Sequence, residues 1–84
     1  MYQDFSPVQH TIVLRRVDAD ARTANFYVLT LERDLFGNVV VTRQWGRVGT
    51  AGRQITDPFL TEEAAVEAMT ALAAAKRRRG YVDL

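Results

Sequence analysis

Hydrophobic and polar positions alternate along the first two thirds of the chain and switch to helical spacing in the last third. Residues 9–17, "QHTIVLRRV", are rich in β-branched side chains and place Ile12 and Leu14 on one face of a first strand. "DADART" at 18–23 breaks the pattern. Residues 25–33, "NFYVLTLER", put Tyr27, Leu29 and Leu31 on one side and Phe26, Val28 and Thr30 on the other, the two-residue period of a strand. "DLFGN" at 34–38 contains Gly37 and Asn38, which tolerate positive φ, and reads as a hairpin turn. In the third strand, "VVVTRQWGR" from Val39, alternation aligns Val39, Val41, Arg43, Trp45 and Arg47. "GTAG" at 49–52 supplies a reversal, and "RQITDPF" returns as a short fourth strand that Pro58 should end.

Helical signals begin at Thr61, an N-cap residue followed by Glu62 and Glu63 where the helix dipole favours anions. Val66, Met69, Leu72 and Ala73 form an apolar stripe with Ala65 beside it, and Glu63, Glu67, Thr70 and Ala74 fall opposite. The helix finishes in "KRRR" with Gly80 as the stop, after which Tyr81 and Val82 should dock on the core. The expected fold class is α+β: a small antiparallel β-sheet of about four strands in a meander, covered by one C-terminal α-helix. Residues 1–84 form one domain, with 1–8 expected as a loosely ordered N-terminal segment.

Composition narrows the chemistry. The 84 residues are 48% hydrophobic and 25% charged, values of a folding chain that can hold one small core. There is no cysteine, so neither a disulfide framework nor a thiolate metal site is available. No basic export signal and no long apolar run occur, which makes a cytoplasmic protein without a membrane partner the default. His10 is the only histidine and has no second ligand type near it in sequence; Ser6 is the only serine and lies in the N-terminal segment. Neither supplies a metal site or a nucleophile–base pair, so no enzyme activity and no cofactor are expected.

The net charge of +1 conceals an uneven distribution. Residues 1–42 carry four arginines against five acids, and residues 43–84 carry seven bases against five. The bases cluster at Arg43/Arg47/Arg53 and at Lys76/Arg77/Arg78/Arg79, and arginine outnumbers lysine ten to one. Such patches attract a polyanion even when the total charge is small, and arginine's planar fork suits phosphate.

One stretch concentrates these features. "RQWGRVGTAGR" at 43–53 holds three arginines, three glycines and the only tryptophan, without an acid. Read structurally, the glycines permit turns and Trp45 is a large core residue. Read functionally, Trp45 is a flat surface for a sugar or base while Arg43, Arg47 and Arg53 meet phosphate; stacking on such an aromatic is worth about 1–3 kcal/mol. The sequence leaves both open. In the tail, Lys76 and Arg77 complement the helix dipole in one reading and extend the basic surface in the other. Lys76 should lie nearer the apolar stripe, where its stem can snorkel.

Taken together, "NFYVLTLE", "RQWGRVGTAGRQ", the helix from Thr61 and "KRRRGYV" resemble the WGR domain, the module of the DNA-dependent poly(ADP-ribose) polymerases and of small bacterial proteins. The resemblance runs from about residue 22 to the end. It implies a sheet-and-helix module that binds nucleic acid, in the polymerases at DNA strand breaks. The role of the motif's Trp, packing on a terminal sugar, would fall on Trp45, and that of its Arg on Arg47. An Asn near the nucleic acid in the polymerases has its counterpart displaced: Ala24 stands at that position and Asn25 one place later. These residues include no polymerase catalytic domain or zinc finger. The expected partner is therefore nucleic acid, DNA first, bound through Arg43, Trp45, Arg47, Arg53, Asn25, Lys76 and Arg77. The alternative is a protein-interaction or regulatory module in which the same Trp/Arg face meets an acidic protein, since Trp and Arg dominate interface hot spots.

Overall fold

The computed structural model describes residues 10–84; the expectations for residues 1–8, Ser6 among them, lie outside it. The strands are β1 (His10–Asp18), β2 (Thr23–Arg33), β3 (Val39–Arg47), β4 (Arg53–Phe59) and β5 (Val82–Asp83), with α1 (Glu62–Arg78) between β4 and β5. They form one antiparallel sheet in the order β4-β3-β2-β1-β5. The chain climbs in a meander to the β4 edge, and α1 then carries it across one face to the opposite edge. There Leu14 pairs with Asp83 and Arg15 with Val82.

Register explains the core. Leu14 stands opposite Tyr27, Tyr27 opposite Trp45, and Trp45 opposite Arg53, so these four share the helix-covered face. The adjacent row is Ile12, Leu29, Arg43 and Ile55. Leu14, Leu29, Leu31 and Val41 are fully buried under Ala65, Met69 and Ala73 of α1. Each such aliphatic side chain contributes about 1.5–3 kcal/mol through burial. The small alanines let the helix sit close to the sheet. Thr61 caps it, its Oγ1 accepting from Ala64 N at 3.1 Å, and Gly80 terminates it at φ +95°.

Four expectations change. The sheet has five strands rather than about four; β5 is too short to show periodicity. Pro58 does not end β4, which continues to Phe59, because β4 is an edge strand where a missing N–H can face outward without breaking a ladder bond. Val66 is 41% exposed although it belongs to the helical stripe, because it overhangs the open side of β1. Tyr81 packs on the core as expected, but Val82 is 61% exposed, its strand pairing turning it outward.

Candidate nucleic-acid interface

The glycines of residues 46–52 have structural duties. Gly49 and Gly52 adopt φ of +96° and +70°, and Thr50 donates to Arg47 O from both its N (3.1 Å) and its Oγ1 (2.8 Å). A Cβ on Gly46 would lie 2.8 Å from Gly52 Cα, and one on Gly52 would run into the Trp45 carbonyl. Only glycine at both places lets the turn fold back onto the strand that carries the tryptophan. On the other face, Gln44 Nε2 donates to Ala51 O at 2.9 Å. The turn thereby fixes Trp45 and Arg53 side by side.

Trp45 itself is neither a core residue nor a free surface ring. It is half-buried, its ring 6.4 Å from that of Tyr27 at an interplanar angle of 43°. Together with Tyr27 it forms the floor of a cleft of 370 Å³ between the sheet and the C-terminal half of α1. Leu72 and Ala75 make the helical wall, and Arg43, Lys76 and Arg79 supply cations. Among the described residues no acid lines it.

The cations are held in place and left underused. Arg43 contacts Trp45, its guanidinium carbon 5.9 Å from the ring centre, and its Nη2 lies 3.4 Å from Asp57 Oδ2. Its Nε is buried without a hydrogen-bond partner. Lys76 Nζ sits 4.6 Å from the centre of the Tyr27 ring and 5.5 Å from that of Tyr81. Burial pushes the Lys76 ammonium below its usual pKa, and Arg79, Arg16 and Arg43 push it further the same way. Arg16 reaches this group from β1, 5.7 Å from the Tyr81 ring, and donates to Arg79 O at 3.3 Å. Four cations thus repel one another around an aromatic floor, an arrangement that an anion relieves.

The seven sequence-derived site residues divide. Arg43, Trp45 and Lys76 meet in the cleft. Arg53 stands opposite Trp45 in the register, and Asn25 opposite Arg47, so these three form the adjoining rim at the same end of the sheet. Arg77 does not join them: its Nε and Nη2 donate to Asp83 Oδ1 and Oδ2 at 2.7 and 2.8 Å, a two-pronged ion pair that pins β5 to the helix. The Arg77 guanidinium is held more firmly protonated, and the Asp83 carboxyl is held below its usual range, by that pairing.

Arg79 and Tyr27 in the cleft, with Arg16 and Tyr81 beside it, were not among the candidates read from the sequence. For Arg79 the signal was present, since Leu72, Lys76 and Arg79 are spaced four and three apart and share a helix face. Arg16 follows Leu14 by two in a strand and so faces the same way.

A comparison with protein families matches the WGR domain over residues 10–84. The chain belongs to the WGR family. The uncharacterized protein y4dW of Sinorhizobium fredii (strain NBRC 101917 / NGR234) is 36% identical over 72 residues, which are 86% of this chain and 35% of that relative. This WGR domain therefore spans well under half the length of that relative. In poly(ADP-ribose) polymerase-like proteins the WGR domain is a nucleic-acid-binding module. No helix of this WGR domain is long and apolar enough to cross a membrane among the described residues.

The depressed Lys76 pKa gives a pH prediction. An anion in the cleft stabilises the ammonium and raises its pKa, so binding takes up a proton wherever free Lys76 is partly neutral. Affinity for a polyanion should hold near neutral pH and fall as the alkaline range is entered, below the pH at which an ordinary lysine titrates. Lys76→Arg, charged throughout, should flatten that profile. Anisotropy titrations along a pH series check it; parallel profiles for the two proteins would remove Lys76 from the binding step. For stability the sign is opposite: the unfolded chain holds this proton more tightly, so the folded state gains as pH rises through the same range.

Proposed function

We propose that this WGR domain binds nucleic acid, DNA in the first instance, by seating a nucleotide's sugar or base against Trp45 while Arg43, Lys76 and Arg79 meet phosphate and Arg47 and Arg53 extend the contact along the rim. The observation that carries this reading is that one cleft lined by no acid among the described residues brings together three cations and a half-buried indole, with Arg43 against the indole itself. The depth of Trp45 favours strand ends and breaks. A nucleotide must be free on one side to enter a cleft bounded by α1, whereas the phosphates of continuous duplex reach only the rim.

Two features of binding should follow. Affinity should fall with salt, with a log–log slope of about −0.9 for each duplex phosphate neutralised. Nicked or recessed-end duplex should bind more tightly than continuous duplex of the same sequence. Anisotropy titrations of labelled continuous, nicked and single-stranded DNA at several salt concentrations test both. Arg79→Ala should lower the salt slope by about one unit. Negligible binding to all three DNAs at low salt refutes the reading.

A further inference from the structure

The end of the molecule opposite the cleft is built to protrude. At the β2–β3 hairpin, Asp34 Oδ1 accepts from Phe36 N and Asn38 N, both at 2.9 Å, and Asn38 Nδ2 donates to Asp34 Oδ2 at 3.1 Å. Asp34 N donates to Asn38 O at 2.9 Å, Gly37 N donates to Asp34 O at 3.0 Å, and Gly37 takes φ +83°. This network fixes a turn whose two side chains bury nothing within the chain. Leu35 is fully exposed and Phe36 is 89% exposed. The register Arg33–Val39–Phe59 brings fully exposed Leu60 to the same end, and Arg33 Nη2 clips the hairpin to the helix start through Glu62 Oε2 at 3.3 Å.

Single exposed apolar residues are ordinary, but a hydrogen-bonded turn holding two large ones outward, with a third nearby, has the make-up of a contact surface. Its charge is the complement of the cleft's. Glu32 and Asp34 flank the tip in sequence, Glu62 and Glu63 open the helix that Arg33 clips to the hairpin, and Arg33, the base among them, is paired with Glu62. Acids at this end are repelled by an anionic lipid surface, which leaves a protein as the occupant they suit. Among the described residues the cleft is a matching surface, with apolar walls at Tyr27, Trp45 and Leu72 and cations at Arg43, Lys76 and Arg79.

We propose that the Leu35–Phe36 tip of one copy inserts into the Trp45 cleft of a second copy, with Glu32 and Asp34 facing Arg43, Lys76 and Arg79. The contact is head to tail. The tip adjoins the start of α1 and the cleft its last turns, about 25 Å apart along a helix of 17 residues. Such a heterologous contact uses different patches on each copy, so it grows into chains or closes into a ring. The patch is small, which makes the association weak and confined to high protein concentration. It occupies the surface proposed for nucleic acid, so DNA and self-association exclude one another, although self-association does not require that DNA bind.

Sedimentation equilibrium of the wild type, Phe36→Ser, Arg79→Glu and an equimolar mixture of the two variants tests the proposal. Wild-type mass should rise with concentration and return to the monomer on adding salt. Each variant alone should lose that concentration dependence, having either no tip or no cleft. The mixture should recover dimer and nothing larger, because one intact tip then meets one intact cleft. A monomeric wild type, association of Phe36→Ser like that of the wild type, or a mixture that stays monomeric overturns it. Phe36 and Arg79 are both exposed, so thermal melts should show both variants folded. Phe36→Ser should keep wild-type affinity for DNA in dilute solution, which separates the failure of this proposal from the failure of nucleic-acid binding.

Discussion

Gly52→Ala should destabilise this domain more than any other alanine substitution in the turn. Two costs combine at that position. Its φ of +70° disfavours an L side chain by about 1–2 kcal/mol, and the new Cβ would meet the backbone carbonyl of Trp45, with the Phe26 ring tip 3.0 Å away. Backbone cannot swing aside as a flexible side chain can, so the turn must open. The total should be at least about 2 kcal/mol, which in a domain of this size lowers Tm by about 8–16 °C. Gly49→Ala is the control: φ is +96° but nothing lies within 4 Å of its Cβ, so only the backbone cost remains. Thermal melts of the two variants check this. Equal shifts would mean that the close approach of Gly52 to Trp45 contributes nothing.

Trp45→Ala should have the largest effect on binding. If a sugar or base packs on the indole, losing that surface costs about 1–3 kcal/mol, or roughly fivefold to 150-fold in affinity for broken DNA. The loss should be much smaller for continuous duplex, whose phosphates reach the rim without entering the cleft. The salt slope should barely change, because no cation is removed. Since Trp45 also packs beside Tyr27, the variant must be compared at a temperature where its melt shows it folded. Trp45→Phe, which keeps a flat apolar surface, should fall between the two proteins. Titration of the three proteins against nicked and continuous duplex measures these differences. An equal loss on both DNAs would indicate a damaged fold rather than a lost stacking surface.

Most of the fold was legible because the chain alternates cleanly where it matters. Tyr27, Leu29 and Leu31 against Phe26, Val28 and Thr30 define two faces, and the structure preserves that division through the middle of β2. The hairpin at 34–38 and the N-cap at Thr61 follow from local chemistry. What escaped depends on pairing between distant segments. Val82–Asp83 is two residues long, and what makes it a strand is its pairing with β1, the Leu84 N to Val13 O bond and the Arg77–Asp83 ion pair. The continuation of β4 through Pro58 depends on which strand stands at the edge, a property of topology rather than of local sequence.

The site was half legible for a related reason. Strand alternation aligned Arg43, Trp45 and Arg47, but it does not say which face the helix covers. The indole proves to lie on the covered face, at the margin where α1 ends, so it is partly buried and partly accessible at once. The glycines of "RQWGRVGTAGR" build the turn, while of its other residues Arg43 and the indole line the cleft and Arg47 and Arg53 stand at its rim. Arg77, which its place in a basic run suggested as a ligand contact, is paired with Asp83, six residues on, and no run of like charges reveals which member is already paired.

Trp45 is the chain's only tryptophan, so its emission reports from inside the cleft without any label. Titrating nicked duplex DNA into the wild type and into Arg79→Glu, while following that emission, bears most directly on nucleotide entry. The expected result is a salt-sensitive quench that saturates in the wild type and is lost in the variant. DNA binding by the wild type with unchanged emission, or an undiminished quench in Arg79→Glu, would contradict the assignment of this cleft.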